Sequence, residues 1–148
     1  MNQAIAVVMD PIESINPSKD TTFALMLEAQ RRGHLLFYVR PGSLAIKAGV
    51  SYGYLARVHV KDDKYQYFTI DQGSFRPLAD MQCILMRKDP PVDAQFIHDT
   101  QILSLAESEG VLVVNRPQGL RDLNEKLAAL LFPQCCPETL VSRNVTEL

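Results

Sequence analysis

Cys83-Ile84-Leu85-Met86-Arg87-Lys88-Asp89-Pro90-Pro91 runs from an apolar stretch through a charged triplet into a double proline. A strand buried on both faces reads as a short continuous apolar run. Pro90 and Pro91 lack an N–H and cannot extend a ladder. The pattern therefore predicts a parallel strand that stops near Met86 and leaves Arg87, Lys88 and Asp89 at its carboxyl end. Open α/β sheets bind ligands at that edge. Ala6-Val7-Val8-Met9 followed by Asp10-Pro11 has the same form. Two strands that each end in charge and proline predict two loops facing one site.

Between these strands the periodicity changes. The loop Asp10 to Lys19 is rich in Pro, Asn and Ser. It is longer than the ~2–6 residues usual for such a connection, and long ordered loops at strand ends tend to carry function. Phe23, Met26, Leu27 and Gln30 then follow helical spacing, with Asp20 or Ser18 as the N-cap, Arg31 and Arg32 in the last turn, and Gly33 at C′. Leu35 to Val39 reads as the second strand, which completes a βαβ unit. Pro41 to Val50 reads as loop, with a turn at Leu44 to Ile46. Gly53 to Val60 and Tyr65 to Ile70 alternate and predict a β-hairpin across Lys61-Asp62-Asp63-Lys64. Asp71 to Asp80 reads as a connection.

Beyond the double proline, Val92 to Glu109 predicts a helix with Phe96, Ile97, Thr100, Leu103 and Ala106 on one side, ended by Gly110. Val111 to Val114 is a fourth apolar strand, closed by Asn115-Arg116-Pro117. A third helix is expected from about Gln118 to Leu131, with Leu120, Leu123, Leu127, Leu130 and Leu131 as its buried stripe and an Asp122–Lys126 pair on another face. Thr139 to Val141 reads as one more short strand. The expected fold is a doubly wound, mostly parallel α/β sheet of about four parallel strands with an inserted β-hairpin.

Composition narrows the function. At 148 residues the chain fits one domain with a sizeable core, and its 47% apolar and 22% charged residues are those of a soluble globular protein. A net charge of −2 offers no nucleic-acid footprint. No apolar run approaches the ~20 residues of a membrane span, and no signal peptide is expected at the N-terminus. Cys135 and Cys136 are adjacent and Cys83 stands apart, which makes no disulfide framework and fits a reduced, cytoplasmic protein. His34, His59 and His98 have no metal-ligand spacing with the cysteines, so no metal site is expected. Neither a phosphate-binding G-x-x-x-x-G-K-[ST] loop nor a G-x-G-x-x-G follows the first strand.

The candidate site residues each have two readings. Asp10 could hold a cation or a substrate ammonium, or cap the turn begun by Pro11. Arg87 could clamp a carboxylate with its fork, or pair on the surface with Asp89 or Asp93. Asn115 could bind a ligand or cap the third helix. The residues alone therefore describe an α/β domain with an anion site at a strand end and no catalytic apparatus.

Val8-Met9-Asp10-Pro11-Ile12, Glu28-Ala29-Gln30-Arg31-Arg32-Gly33 and Leu85-Met86-Arg87-Lys88-Asp89-Pro90-Pro91 closely resemble the amino-terminal part of bacterial glutathione synthetases. So do Val114-Asn115-Arg116-Pro117-Gln118, the run from Leu120 to Leu127, and Pro137-Glu138-Thr139-Leu140-Val141, in the same order. The stretch from Pro41 to Leu78 carries none of these motifs. The resemblance implies a pre-ATP-grasp, Rossmann-like domain over 1–136 and the start of a linker over 137–148. It implies an ATP-grasp ligase that joins γ-glutamylcysteine and glycine, with ATP and Mg2+ as cofactors of the full-length enzyme. That enzyme is expected to be homo-oligomeric and cytoplasmic, with no nucleic-acid or membrane partner. The chain is expected to be a truncated form, inactive alone and holding neither ATP nor metal. Arg87, Asp10, Asn16, Asp89 and Ser14 are the expected substrate-binding residues, with no catalytic residue among them. A free-standing binding module for a small acidic ligand is the alternative, and an α/β regulatory or interaction domain is a third.

Overall fold

The computed structural model describes residues 2–123 and 127–147. The elements follow as β1 (Ala4–Val8), α1 (Thr21–Arg31), β2 (Leu35–Val39), β3 (Leu44–Lys47), β4 (Val50–Val60), β5 (Phe68–Ile70), β6 (Ser74–Pro77), β7 (Cys83–Met86), α2 (Ala94–Ser108), β8 (Leu112–Val114) and α3 (Pro117–Asp122). They build one sheet in the order β3-β4-β2-β1-β7-β8, with β5 and β6 also paired to β4. The strands β2, β1, β7 and β8 are parallel. The strand β4 runs antiparallel to β2 and to its other three neighbours.

The parallel core is the doubly wound sheet that its apolar runs predict. Alternate residues of β1 serve opposite faces. Ala6 and Val8 pack with Ile84, Met86, Phe96 and Leu103 on the α2 side. Val7 packs with Leu36, Phe23 and Met26 on the α1 side. A strand covered on both faces has no polar side, which is why its sequence does not alternate.

The helix ends also follow their signals. The Asp20 carboxylate accepts from the Phe23 N–H at 2.6 Å, and Asp93 accepts from the Phe96 N–H at 2.9 Å. Asp93 in that role explains why α2 starts at Ala94 and not at Val92. At the other end of α1, Gly33 adopts φ +84°, which lets the Gly33 N–H reach the Gln30 carbonyl and the His34 N–H reach the Ala29 carbonyl. Gly110, at φ +98°, closes α2 in the same way.

The antiparallel part departs from the sequence reading. The hairpin after β4 is present, but its second strand begins at Phe68, and the register is Val60↔Phe68. Leu44 to Ile46 lie in a strand, β3, and not in a turn. The β3–β4 connection is the pair Ala48 and Gly49 at φ 50° and 78°, a tight hairpin that lacks the usual Asn-Gly signal. The stretch read as a connection contains β6, which pairs Phe75 with Tyr54. It is short, polar at its start and ends in Pro77, so no apolar alternation marks it.

The expected third helix is cut short. The α3 helix ends at Asp122, and Leu123, Leu127, Leu130 and Leu131 are exposed. Only Leu120 of the stripe packs against the core. The helix is tied down by a polar contact, since the Arg121 guanidinium donates to the Thr100 carbonyl at 3.0 Å and to Ser104 at 3.1 Å. Lys126 of the expected ion pair lies outside the described residues, and Asp122 accepts from Gln118 at 2.6 Å. Asn115 is not the cap of α3. Arg116 holds that position and makes no side-chain cap bond. Thr139 to Val141 form no strand.

Candidate functional site

The strand order reverses at β1, which lies between β2 and β7. In the parallel register Val8 faces Met86, so the two carboxyl ends stand side by side as the two proline-terminated runs predict. The backbone extends the contact. The Arg87 N–H donates to the Val8 carbonyl at 2.8 Å, and the Asp89 N–H donates to Asp10 Oδ2 at 2.8 Å. Asp10 therefore ties the two loops together, a role neither of its sequence readings contained. Arg87 is half-buried and turns toward the start of α1, where its Nε–H donates to Thr22 Oγ1 at 3.0 Å. Neither Asp89 nor Asp93 pairs with it, and among the described residues it makes no ion pair. Its terminal nitrogens carry no bond there either.

The other expected site residues go elsewhere. Asn16 Oδ1 accepts from the Ser18 N–H at 3.2 Å and from the Ser18 hydroxyl at 2.8 Å. Ser14 donates to the Pro11 carbonyl at 2.7 Å. Both side chains are spent inside turns of the loop Asp10 to Lys19. The loop is ordered by this chain's own contacts: Ile12 is fully buried, and the Tyr67 hydroxyl donates to its carbonyl at 2.9 Å. The structure thus brings Asp10, Arg87 and Asp89 together and places Asn16 and Ser14 in turns.

On the α2 face lies a group the sequence reading passed over. Asp99 is fully buried. One of its oxygens accepts from Gln95 Nε2 at 2.9 Å, and the other has no partner. Burial pushes its carboxyl above the ordinary range, against the pull of Gln95, Lys88 and the Gly42 backbone. Its spacing, three residues after Phe96 and four before Leu103, puts it on the buried stripe of α2. A charged residue in that phase was the available signal. Lys88, from the strand-end triplet, sits with its Nζ 5.8 Å above the Phe96 ring.

A separate cavity of about 610 Å³ opens by the antiparallel strands, lined by Glu13, Tyr38, Arg40, Tyr54, Phe68 and Asp71 among others. Asp10 and Arg87 do not line it. The Arg40 guanidinium is held above its ordinary range first by the Tyr38 phenol beside it and then by Glu13. The phenol hydroxyl is buried and completes no hydrogen bond.

The prokaryotic glutathione synthetase N-terminal domain family matches residues 3–121. The chain belongs to this family. A glutathione synthetase of Xanthomonas axonopodis pv. citri is 57% identical over 148 residues, which are 100% of this chain and 47% of that protein. One from Xylella fastidiosa is 57% identical over 144 residues, 97% of this chain and 46% of its own length. The glutathione synthetase of Escherichia coli K12 is 47% identical over 144 residues, again 97% and 46% of the two lengths. The chain thus spans about half the length of the curated relatives it matches. The family match covers β1, β7 and the loops that meet at Asp10 and Arg87, so the candidate site lies inside it. Among the described residues no helix is long and apolar enough to cross a membrane.

Proposed function

We propose that this chain forms the peptide-substrate wall of a glutathione synthetase, and that Arg87 grips a carboxylate of γ-glutamylcysteine. One observation carries the site. A half-buried arginine stands at the carboxyl end of a strand in the parallel core, anchored through Nε, with its terminal nitrogens unused and no ion pair among the described residues. It also lies against the first turn of α1, where the backbone already presents partial positive charge. A cation placed there is unfavourable until an anion joins it, and two parallel N–H donors match a carboxylate. Asp10 holds the Arg87 loop against the β1 loop through the Asp89 N–H.

In this reading ATP phosphorylates the cysteinyl carboxylate of the dipeptide, and glycine displaces phosphate from the acyl phosphate to give glutathione, ADP and phosphate. ATP and Mg2+ supply and neutralise the transferring phosphoryl group. Among the described residues no three His, Cys, Asp or Glu side chains stand where they could hold a metal ion, and the Mg2+ site is proposed to lie in the ATP-grasp portion. Residues 1–136 act as the pre-ATP-grasp domain, 137–148 begin a linker, and the ATP-grasp portion belongs to the length of the relatives that this chain does not span. The three free thiols fit a cytoplasmic enzyme, and the whole enzyme is proposed to be a homo-oligomer.

Arg87→Ala in the full-length enzyme is expected to raise KM for γ-glutamylcysteine roughly tenfold or more, the worth of a charge-assisted bond. Arg87→Lys should recover only part, because an ammonium lacks the fork. Unchanged KM and kcat in Arg87→Ala would overturn the role. The 148-residue chain alone is expected to make no glutathione and to show no measurable ATP–Mg2+ binding by calorimetry; micromolar binding would place the nucleotide site within it.

A further inference from the structure

We infer that Thr22 is a positioning residue for Arg87: its hydroxyl takes the Nε–H and thereby turns the two terminal nitrogens of the guanidinium toward the bound carboxylate. The inference rests on the proposed role of Arg87 and adds the geometry by which the arginine acts.

A guanidinium can meet a carboxylate in two ways. In the side-on mode it uses Nε–H and one terminal nitrogen. In the end-on mode it uses both terminal nitrogens. Thr22 Oγ1 lies 3.0 Å from Arg87 Nε, so the side-on edge is occupied and the end-on fork remains. Thr22 is only 5% exposed and is buried beside Phe23, while Thr21 and Ala24 face solvent. Its β-branched side chain has few rotamers in a helix, and in the one it adopts the hydroxyl faces Arg87 Nε. The turn that carries it is itself fixed, because Asp20 caps the Phe23 N–H at 2.6 Å and Phe23 is buried beneath. Thr22 lies 65 residues before Arg87 in the chain, and the contact exists only because α1 follows β1 and β1 pairs with β7. An arginine side chain has many rotamers, and one fixed bond at Nε removes most of that freedom before the ligand arrives.

The test uses the full-length enzyme with nitrogen-15 in its arginine side chains. The Arg87 Nε–H is expected to exchange slowly with solvent and to shift when γ-glutamylcysteine is titrated in. Thr22→Val keeps the shape and removes the acceptor. It should expose the Nε–H to fast exchange and weaken γ-glutamylcysteine binding about fivefold to tenfold, the loss expected for one hydrogen bond of ordinary worth. Thr22→Ser restores the acceptor and should bind within about twofold of the parent. Thr22→Ala gives a second route to the same loss if the valine variant folds poorly. Fast exchange of Nε–H in the parent enzyme, or undiminished binding in both Thr22→Val and Thr22→Ala, overturns the positioning role and leaves the Arg87 reading standing. If γ-glutamylcysteine binds but moves no Arg87 signal, and Arg87→Ala binds it equally well, the Arg87 reading falls and this inference with it.

Discussion

The strand β1 and the segment after Pro117 are both rich in apolar residues, and they end in opposite conditions. Ala6, Val7 and Val8 are 0% exposed, while Leu123 is 61% and Leu131 68% exposed. Each has an apolar pattern that predicts burial. The strand meets α2 on one face and α1 on the other. The leucines after Leu120 meet no element among the described residues that covers them. Burying a leucine contributes about 1.5–3 kcal/mol, and none of that is realised without an opposing surface. A hydrophobic pattern thus states which side wants a partner, and burial requires the partner to be there. The same rule explains α3, which stays where Leu120 and Arg121 find α2 and stops at Asp122.

The comparison breaks most readily at its largest effect. Phe23→Ala should cost about 3–5 kcal/mol, since the ring is buried and meets Tyr67 edge-on at 5.5 Å between centroids. Leu131→Ala should cost under ~0.5 kcal/mol. Urea denaturation of both variants measures this, and equal losses would show that the leucine segment is packed. Next comes Asp99→Asn, which removes a buried carboxylate with one unpartnered oxygen. At neutral pH it should stabilise the chain by about 1–3 kcal/mol. The sign follows from the raised pKa. Below the ordinary carboxyl value of 3.8 the group is protonated folded or unfolded, so the variants should match. As pH rises through the raised folded value, the parent loses stability that the asparagine variant keeps. Melting at pH 3 and pH 7 reads both limits.

A smaller loss, about 1 kcal/mol, is expected from Asp20→Ala, which leaves the Phe23 N–H uncapped. Amide exchange should rise through the first turn of α1 and leave β7 unchanged. The smallest effect concerns Glu28, which Arg31 and then Arg32 hold from 4.5 down to about 2 by hydrogen bonds. Its stabilising share is present above pH 4.5 and lost as pH falls through about 2. Carboxyl NMR titration should show a midpoint near that lower value, and replacing both arginines with alanine should return it toward 4.5.

Part of the candidate site was legible in the sequence. The sequence marks Arg87 and Asp10, because apolar runs ending in charge and proline imply neighbouring strand ends, and the register Val8↔Met86 makes those ends neighbours. The partners they use were not legible. The Arg87 contact with Thr22 and the Asp10 contact with the Asp89 N–H span 65 and 79 residues. Asn16 and Ser14 stood in the right loop and closed its turns. Gln30 was placed by helical spacing, yet its amide serves β4, accepting from the Val60 N–H at 2.9 Å and donating to the Val60 carbonyl at 2.6 Å.

The sequence by itself determined the four parallel strands, the extents of α1 and α2 to within two residues, and the glycines that end those helices. Continuous apolar runs, short-range capping and positive φ act over a few residues, so their causes sit next to one another in the chain. Only the tertiary structure decided that Leu44 to Lys47 and Ser74 to Pro77 are strands, that Asp99 is buried, and that the last leucines are not. Those outcomes depend on which surface arrives from a distant part of the chain, because a strand needs a partner's ladder and a side chain leaves water only against another.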